Sequence, residues 1–278
     1  MVLKAFLSRC PPERMVALER FLPEEERLIL SGLPTFGTAE ANISTPLLEE
    51  VHWSWFLPTL KSYPEREQSL FLHSLGDFAK GNLQHELNLP RTVESISGSG
   101  RAFMRQILLH SLVGPKEQVI PKEYLPPSSL NVLLKLRKKE LTHLIGLLSL
   151  HDFAHEMLQI VETKILKKIY SFLTEEEKKI LKTTTAHKEP YSVCRIGLEK
   201  WDGTELSFRH LLHRRGLARL GAALSGQDPD LIWYVCHQLD IGRGTTLYKC
   251  SLPEPIPGIS EWVIRQIEEL FTNLDIKL

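Results

Sequence analysis

A pair of histidines, His151 and His155, is the pattern in this sequence that comes nearest to a metal-binding motif. In the run His-Asp-Phe-Ala-His they are four residues apart, so on a helix both imidazoles would lie on one face and could bind a metal ion. The zinc-protease motif has glutamate where Asp152 stands, and no third ligand is evident nearby. We expect a solvated or partly buried histidine pair. A metal-dependent helical enzyme, assisted by Asp152 or Glu156, is the alternative.

Other patterns that could support catalysis are weaker. The segment Gly242–Thr245, Gly-Arg-Gly-Thr, resembles a phosphate-binding turn, but no strand precedes it and no Gly-Lys-Thr follows. A corner between helices is therefore expected there. The Gly-x-Ser-x-Gly pattern of acyl-transfer enzymes is absent from the sequence. We expect a protein that is not an enzyme, with no catalytic residue, no metal and no cofactor.

Charge gives no support to a nucleic-acid partner. Lysine and arginine total 34, aspartate and glutamate also total 34, and the formal net charge is zero. No global positive field is available to attract a polyanion. Local basic clusters could still contact phosphates or acidic partners, although solvated faces are the expectation for them. These clusters are Arg137–Lys139, Arg214–Arg215 and the lysines Lys164, Lys167 and Lys168.

The cysteines and the hydropathy pattern favour a cytoplasmic protein. Four cysteines are scattered without paired metal-ligand spacing, which is typical of a reduced compartment. The apolar run in Met1–Arg9 is too short for an export signal, and no apolar stretch approaches the roughly 18 residues of a membrane span. We expect a cytoplasmic location, peripheral at the inner face of a membrane complex, without direct membrane insertion.

An apolar ladder of eight positions recurs three times in the same order, with steps of 6, 3, 4, 9, 3, 3 and 8 residues. Steps of three and four residues place side chains on one helical face, and the step of nine spans a turn. Each copy therefore predicts a unit of two or three helices, about 40 residues long, that stacks on its neighbours. The copies are Leu47, Trp53, Phe56, Leu60, Ser69, Leu72, Leu75 and Leu83; Leu144, Leu150, Phe153, Met157, Leu166, Ile169, Phe172 and Ile180; and Leu211, Leu217, Leu220, Leu224, Trp233, Cys236, Leu239 and Leu247.

Helix-start signals support the first and last copies. Pro64 and Asp228 occupy the same position in their respective copies, and each is typical of a helix start. The middle copy has no Pro, Gly or Asn between Met157 and Leu166, so one continuous helix is expected across that stretch. A final amphipathic helix is predicted from Ile259 to Leu274.

Proline, glycine and serine divide the chain into three parts. We predict an N-terminal helical domain over residues 1–88 with one repeat, and a linker region over 89–128 with one helix at Arg101–Leu112. Residues 129–278 would form a C-terminal helical domain with two repeats and the terminal helix.

Partner-facing residues can be suggested from the same pattern. Trp53 is part of the ladder, and Trp55, two residues later, would point away from that core. Trp55 is therefore a candidate partner contact, and burial under a neighbouring repeat is the equally supported alternative. The predicted partner-facing residues are Trp55, Arg214, Arg215, Asp240 and Arg243.

The segment Leu211–Leu247 resembles the armadillo-type helical units of the flagellar motor switch protein FliG. The resemblance lies in Arg-Gly-Leu at 215–217, Ala-Ala-Leu at 222–224, Asp-Pro-Asp-Leu at 228–231 and Leu-Asp at 239–240, and Leu144–Leu181 looks similar. The Glu-His-Pro-Gln and Met-Phe-x-Phe motifs of FliG are absent, so the resemblance does not extend to torque generation. The chain looks more like a type III secretion component of the SctK sorting-platform type.

This resemblance implies an all-α fold of stacked armadillo-like, FliG-like repeats in two helical domains joined by the Pro/Gly/Ser-rich linker. It also implies a non-enzymatic adaptor, or scaffold, whose partners are ring or sorting-platform subunits of a secretion apparatus. A secreted helical effector is a further alternative.

Overall fold

The computed structural model describes residues 20–32, 45–90, 96–114, 119–186 and 201–273, together with the single residues 16, 18 and 198. Every regular element in these ranges is a helix, which confirms the all-α class. No helix among the described residues combines the length and the hydropathy that crossing a membrane requires.

The α-helices of the described residues range in length from five to 20 residues. They are α1 (Glu24–Gly32), α2 (Thr45–Glu50), α3 (Leu57–Lys61), α4 (Glu65–Leu72), α5 (Asp77–Glu86), α6 (Gly98–Val113), α7 (Lys138–Met157), α8 (Thr163–Phe172), α9 (Glu175–Ala186), α10 (Glu205–Leu224), α11 (Pro229–Gln238), α12 (Ile241–Cys250) and α13 (Ser260–Asn273). Shorter 3₁₀ helices cover Trp53–Phe56, Lys122–Tyr124 and Ser129–Lys135.

Contacts between Cα atoms divide the chain into two units, residues 1–49 and residues 50–278. The first unit contains α1, whose first turn carries Glu24, Glu25 and Glu26. Carboxylates at this end of a helix are stabilised by the helix dipole. The second unit contains every element from the first 3₁₀ helix onward.

The buried residues of the second unit fall into two groups. A large core is formed by the 3₁₀ helix Ser129–Lys135 and by α7 to α13, with buried residues that begin at Leu130 and end at Leu270. Upstream residues such as Phe56, Phe71 and Leu83 are also buried but lie outside that core. The predicted linker region, residues 89–128, itself contains buried residues outside that core, Leu108 and Leu125. Because all these residues belong to one unit, the three-part division stays a prediction.

Local hydrogen bonds explain where several helices begin. Asp228 Oδ1 accepts from the backbone N–H of Asp230 at 2.8 Å, and Pro229 fits the first helical turn of α11. At the start of α9, Thr174 and Glu177 form a reciprocal capping box with bonds of 2.8 and 3.2 Å. The start at Asp228 was predicted from the sequence.

The expected continuous helix between Met157 and Leu166 is wrong. Helix α7 ends at Met157, the chain turns, and α8 begins at Thr163. Two backbone bonds close the turn, from Gln159 N to Glu156 O at 3.0 Å and from Ile160 N to Met157 O at 3.2 Å. Its residues all have negative φ, so the turn needs no glycine or asparagine and leaves no such signal in the sequence.

The helix inside the predicted linker region begins earlier than expected. Helix α6 begins at Gly98, so Gly98 and Gly100 are helical rather than part of a flexible connection. Ser97 Oγ caps the helix by accepting from Gly100 N at 3.1 Å. The predicted helix at residues 101–112 is thereby confirmed, while residues 91–95 lie outside the described residues. The terminal helix is confirmed over residues 260–273.

Candidate functional site

Three of the five predicted partner-facing residues come together where α11 ends and α12 begins. Trp55, Asp240 and Arg243 lie at this turn. We use the name α11–α12 corner for the turn and for residues 52–55, which pack on it. Arg214 is exposed on α10, and Arg215 beside it is half-buried. The corner is therefore the place where most of the suggested residues can act together.

The first 3₁₀ helix and the residue before it are bonded directly to the corner. Three hydrogen bonds make this connection: His52 N donates to the His237 carbonyl at 2.8 Å, Trp55 Nε1 donates to the Leu239 carbonyl at 2.9 Å, and Ile241 N donates to Ser54 Oγ at 2.9 Å. These bonds join residues more than 180 positions apart in the chain.

An aromatic stack lies beneath these bonds. The His237 imidazole is sandwiched between Trp55, at a centroid distance of 4.0 Å, and Trp233, at 3.9 Å. Burial lowers the pKa of His237 to about 4, so the ring is neutral at pH 7. His237 Nδ1 lies 2.7 Å from the Trp233 carbonyl oxygen, to which it donates. The stack is thus a packed, uncharged contact.

Trp55 is half-buried in this stack. This position agrees with the alternative, burial under a neighbouring segment, and a contact of Trp55 with a partner stays a prediction. Gly244 makes the close packing possible, since a Cβ there would lie 2.6 Å from Trp55 Cζ2 and 2.3 Å from the Cys236 carbonyl oxygen.

Charged groups surround the outer side of the corner. Asp240 caps α12 by accepting from Arg243 N at 3.2 Å, and its Oδ2 lies 3.0 Å from Arg243 Nη1 and 3.7 Å from Lys138 Nζ. Partial burial raises the pKa of the Asp240 carboxyl. The hydrogen bond from the Arg243 amide and the charges of Arg243 and Lys138 lower it by more, so the pKa lies below its ordinary value. One carboxylate is thus shared by two half-exposed cations.

Lys138 also donates to His52 Nε2 at 2.7 Å. An ammonium group can only donate, so Nε2 accepts in this contact. His52 Nδ1 lies 2.9 Å from Ser54 Oγ and 3.3 Å from the Ser54 backbone nitrogen. Burial, and then the charge on Lys138, lower the pKa of His52 to about 4. Burial and Arg243 lower the pKa of His213 to about 4 in the same way. For both histidines burial is the larger cause of the lowered pKa, and the neighbouring cation adds to it.

A second polar group lies inside the core. Arg219 Nη1 donates to Asp152 Oδ1 at 2.5 Å, and neither side chain is exposed. Arg219 Nη2 donates to Gln266 Oε1 at 2.7 Å, and the guanidinium stacks 4.7 Å from the Trp262 ring centroid. This network joins α7, α10 and α13.

One histidine of the pair, His151, belongs to that network. Asp152, between the two histidines, is bound by Arg219, and His151 Nδ1 accepts from Gln266 Nε2 at 3.1 Å. Within the described residues, no three His, Cys, Asp or Glu side chains are arranged to hold a metal ion. The arrangement around His151 and His155 therefore resembles a core hydrogen-bond network rather than a metal centre.

Arg214 contributes to a different feature, an open cleft at the start of α10. The cleft has a volume of about 400 Å³, and its lining residues are Asp202, Thr204, Leu206, Ser207, His210, Leu211 and Arg214. The side chains present could hydrogen-bond a polar ligand.

The most important residues that the sequence reading missed are His52 and Arg219, while Lys138 was named only as a member of a basic cluster. Arg219 left a signal, because it is a charged residue within the otherwise apolar stretch Leu217–Leu224. The contact between His52 and Lys138 spans 86 residues, so no local pattern could reveal it.

No protein-family model matches the chain, and searches of curated proteins and of solved structures found no significant match. Its function is therefore inferred from its helices and side chains.

Proposed function

We propose that the chain is a non-enzymatic scaffold or adaptor, built from three-helix units, that binds partner proteins on the faces of its stacked helices. The observation that carries this proposal is the regular recurrence of helix starts. Helices α7, α8 and α9 begin at Lys138, Thr163 and Glu175. Helices α10, α11 and α12 begin 67, 66 and 66 residues later, at Glu205, Pro229 and Ile241.

The N-terminal helices support the same interpretation. Helices α4 and α5 begin at Glu65 and Asp77, and each start precedes its counterpart, Pro229 or Ile241, by 164 residues. From Trp53 onward, every ladder residue is buried or half-buried. A shared helix pattern with the same inward-facing positions is what stacked repeats require.

Stacked units share a core with their neighbours and leave long faces open to partners. At the α11–α12 corner, the side chains of Lys138 and Arg243 are 38% and 39% exposed. Arginine at the edge of a packed aromatic cluster is a frequent anchor in protein interfaces. We propose that Arg243 and Arg214 contact partners, while Trp55 holds the corner in shape.

The resemblance of Leu211–Leu247 to FliG units suggests the class of partner. We propose ring or sorting-platform subunits of a type III secretion or flagellar-type machine, with the chain cytoplasmic at the inner face of the membrane complex. This partner class is supported by the resemblance in sequence alone.

Affinity isolation from native cells tests the proposal. We expect subunits of such a machine to co-purify with the wild-type chain, and the double variant Arg214→Glu/Arg243→Glu to recover them at least tenfold less, as loss of an interface anchor does. The variant Lys61→Glu/Lys249→Glu makes the same charge change at two other exposed positions and should behave as wild type. Matching melting temperatures would exclude misfolding. Recovery of no such subunit by the wild-type chain would contradict the proposal.

A further inference from the structure

Helix α8 and the connection that precedes it form an exposed surface with an unusual combination of side chains. Its members, which we call the α8 surface, are Leu158, Val161, Lys164, Lys167 and Lys168. Neither the stacked-helix interpretation nor the α11–α12 corner gives this surface a role.

The lysines share one face of α8, because they are spaced three and four residues apart. The opposite face fixes this orientation, since Ile169 is fully buried and Ile165 and Phe172 pack partly buried against the core. Neither Lys164 nor Lys167 makes an ion pair with any residue that the structure describes. Their positive charges are therefore available to a ligand.

Two aliphatic side chains lie directly before these lysines. Leu158 is 68% exposed and Val161 is 94% exposed, both in the turn between α7 and α8. From Leu158 to Phe172 the chain carries three lysines and one acidic residue, Glu162. The surface is thus locally positive in a protein whose net charge is zero.

The side-chain types distinguish between two kinds of ligand. Protein interfaces are enriched in aromatic residues and arginine and are depleted in lysine. Lysines beside exposed aliphatic groups match a membrane surface, where the aliphatic groups enter the headgroup layer and the ammonium groups reach lipid phosphates. We propose that the α8 surface binds the anionic headgroups of a phospholipid membrane, as a peripheral contact without insertion of the helix.

This property goes beyond the proposed scaffold function and does not depend on it. Vesicle flotation with the full chain measures it directly. We expect binding to vesicles of equal parts phosphatidylglycerol and phosphatidylcholine, no binding to phosphatidylcholine alone, and release at high salt. The double variant Lys164→Ala/Lys167→Ala should bind about 25-fold more weakly, roughly fivefold for each lysine. The matched variant Lys61→Ala/Lys249→Ala should stay within about twofold of wild type, because those lysines are exposed elsewhere.

The aliphatic contribution is tested separately. Val161→Ser should weaken vesicle binding about tenfold, whereas Leu252→Ser, at another exposed aliphatic residue, should leave it unchanged. No binding of the wild-type chain to anionic vesicles, or equal losses in the lysine variant and its control, would overturn the proposal. Lysine-dependent binding to poly-glutamate without binding to vesicles would also overturn it and would point to an acidic protein instead. Partner isolation with the corner variants reads out the scaffold function independently.

Discussion

Two charged sites in this protein use the same chemistry in opposite surroundings. In the core, Arg219 is paired with Asp152 and neither side chain is exposed. At the α11–α12 corner, Asp240 is shared by Lys138 and Arg243, and all three side chains are between 30% and 39% exposed. The inner pair fixes how the helices pack, and the outer group remains accessible to a ligand.

Solvation explains this difference. A buried ion pair needs nearly ideal geometry to offset the loss of hydration, and removal of one partner leaves the other charge uncompensated. At a half-exposed site water screens the same interaction and replaces a missing partner. Substitutions in the core should therefore change the free energy of unfolding much more than substitutions at the corner.

The largest effect is expected for Arg219→Met. This change leaves the buried Asp152 carboxylate without its cation and should lower the free energy of unfolding by about 3–5 kcal/mol in a urea titration. The double variant Arg219→Met/Asp152→Leu removes both charges and should recover most of that loss. A loss below about 1 kcal/mol in the single variant would show that the pair does not hold the core together.

Gly216→Ala should come next. A Cβ at this position would lie 1.8 Å from the Ile145 carbonyl oxygen, so α7 and α10 would have to move apart. We expect a loss of about 2–3 kcal/mol in the same titration. Gly146→Ala is the control: it lies in α7 with no atom within 4 Å of the added Cβ and should be neutral or slightly stabilising. Equal results for the two variants would disprove the close helix contact.

At the corner, Trp55→Ala should cost about 2 kcal/mol, because it removes the stack on His237 and the bond to the Leu239 carbonyl. Trp55→Phe keeps a ring and should lose about half as much. Hydrogen exchange should accelerate at the backbone amides of the corner. One of these is the Ile241 N–H, which donates to Ser54 Oγ in the wild type. Unchanged exchange there would mean that Trp55 does not hold the corner.

The pH dependence of stability tests the neutral state of His237. Its folded pKa of about 4 lies below the ordinary histidine pKa of 6.5, so the unfolded chain binds more protons between these values. The contribution of neutral His237 to the free energy of unfolding is then fully present above pH 6.5 and is lost as the pH falls toward 4. The slope of stability against pH is proportional to the number of protons that the chain takes up on unfolding. His237→Phe should lower this number by about one, and the uptake that remains comes from His52 and His213. Identical slopes for wild type and variant would contradict burial of the neutral ring.

The smallest effect is expected for Lys138→Gln. Its contacts to Asp240 and His52 are half-exposed, so the loss should stay below about 1 kcal/mol. If Lys138→Gln lowered the free energy of unfolding as much as Arg219→Met, the predicted difference in stability effect between the buried pair and the corner would be contradicted.

Much of the helical framework could be predicted because its signals are local. Asp228, Thr174 and the apolar ladder mark helix starts and inward faces within a few residues of their effect. The turn after Met157 was missed because its conformation suits ordinary residues. Tertiary packing alone decided that break.

The candidate site was predicted less completely. Asp240 and Arg243 could be suggested since they are neighbours in sequence at a helix start. The position of Trp55 could not be fixed, because its partners His237 and Leu239 are about 180 residues away and only the folded chain brings them together. The same distance problem hid the contact of Lys138 with His52.

Crosslinking mass spectrometry on the tagged chain at native expression level, in intact cells, is the most direct test of the scaffold function. The account predicts crosslinks from lysines of α7, α8, α9 and α12 to ring or sorting-platform subunits of a secretion or flagellar-type machine. Crosslinks confined to the chain itself, under conditions in which those subunits crosslink to one another, would contradict it.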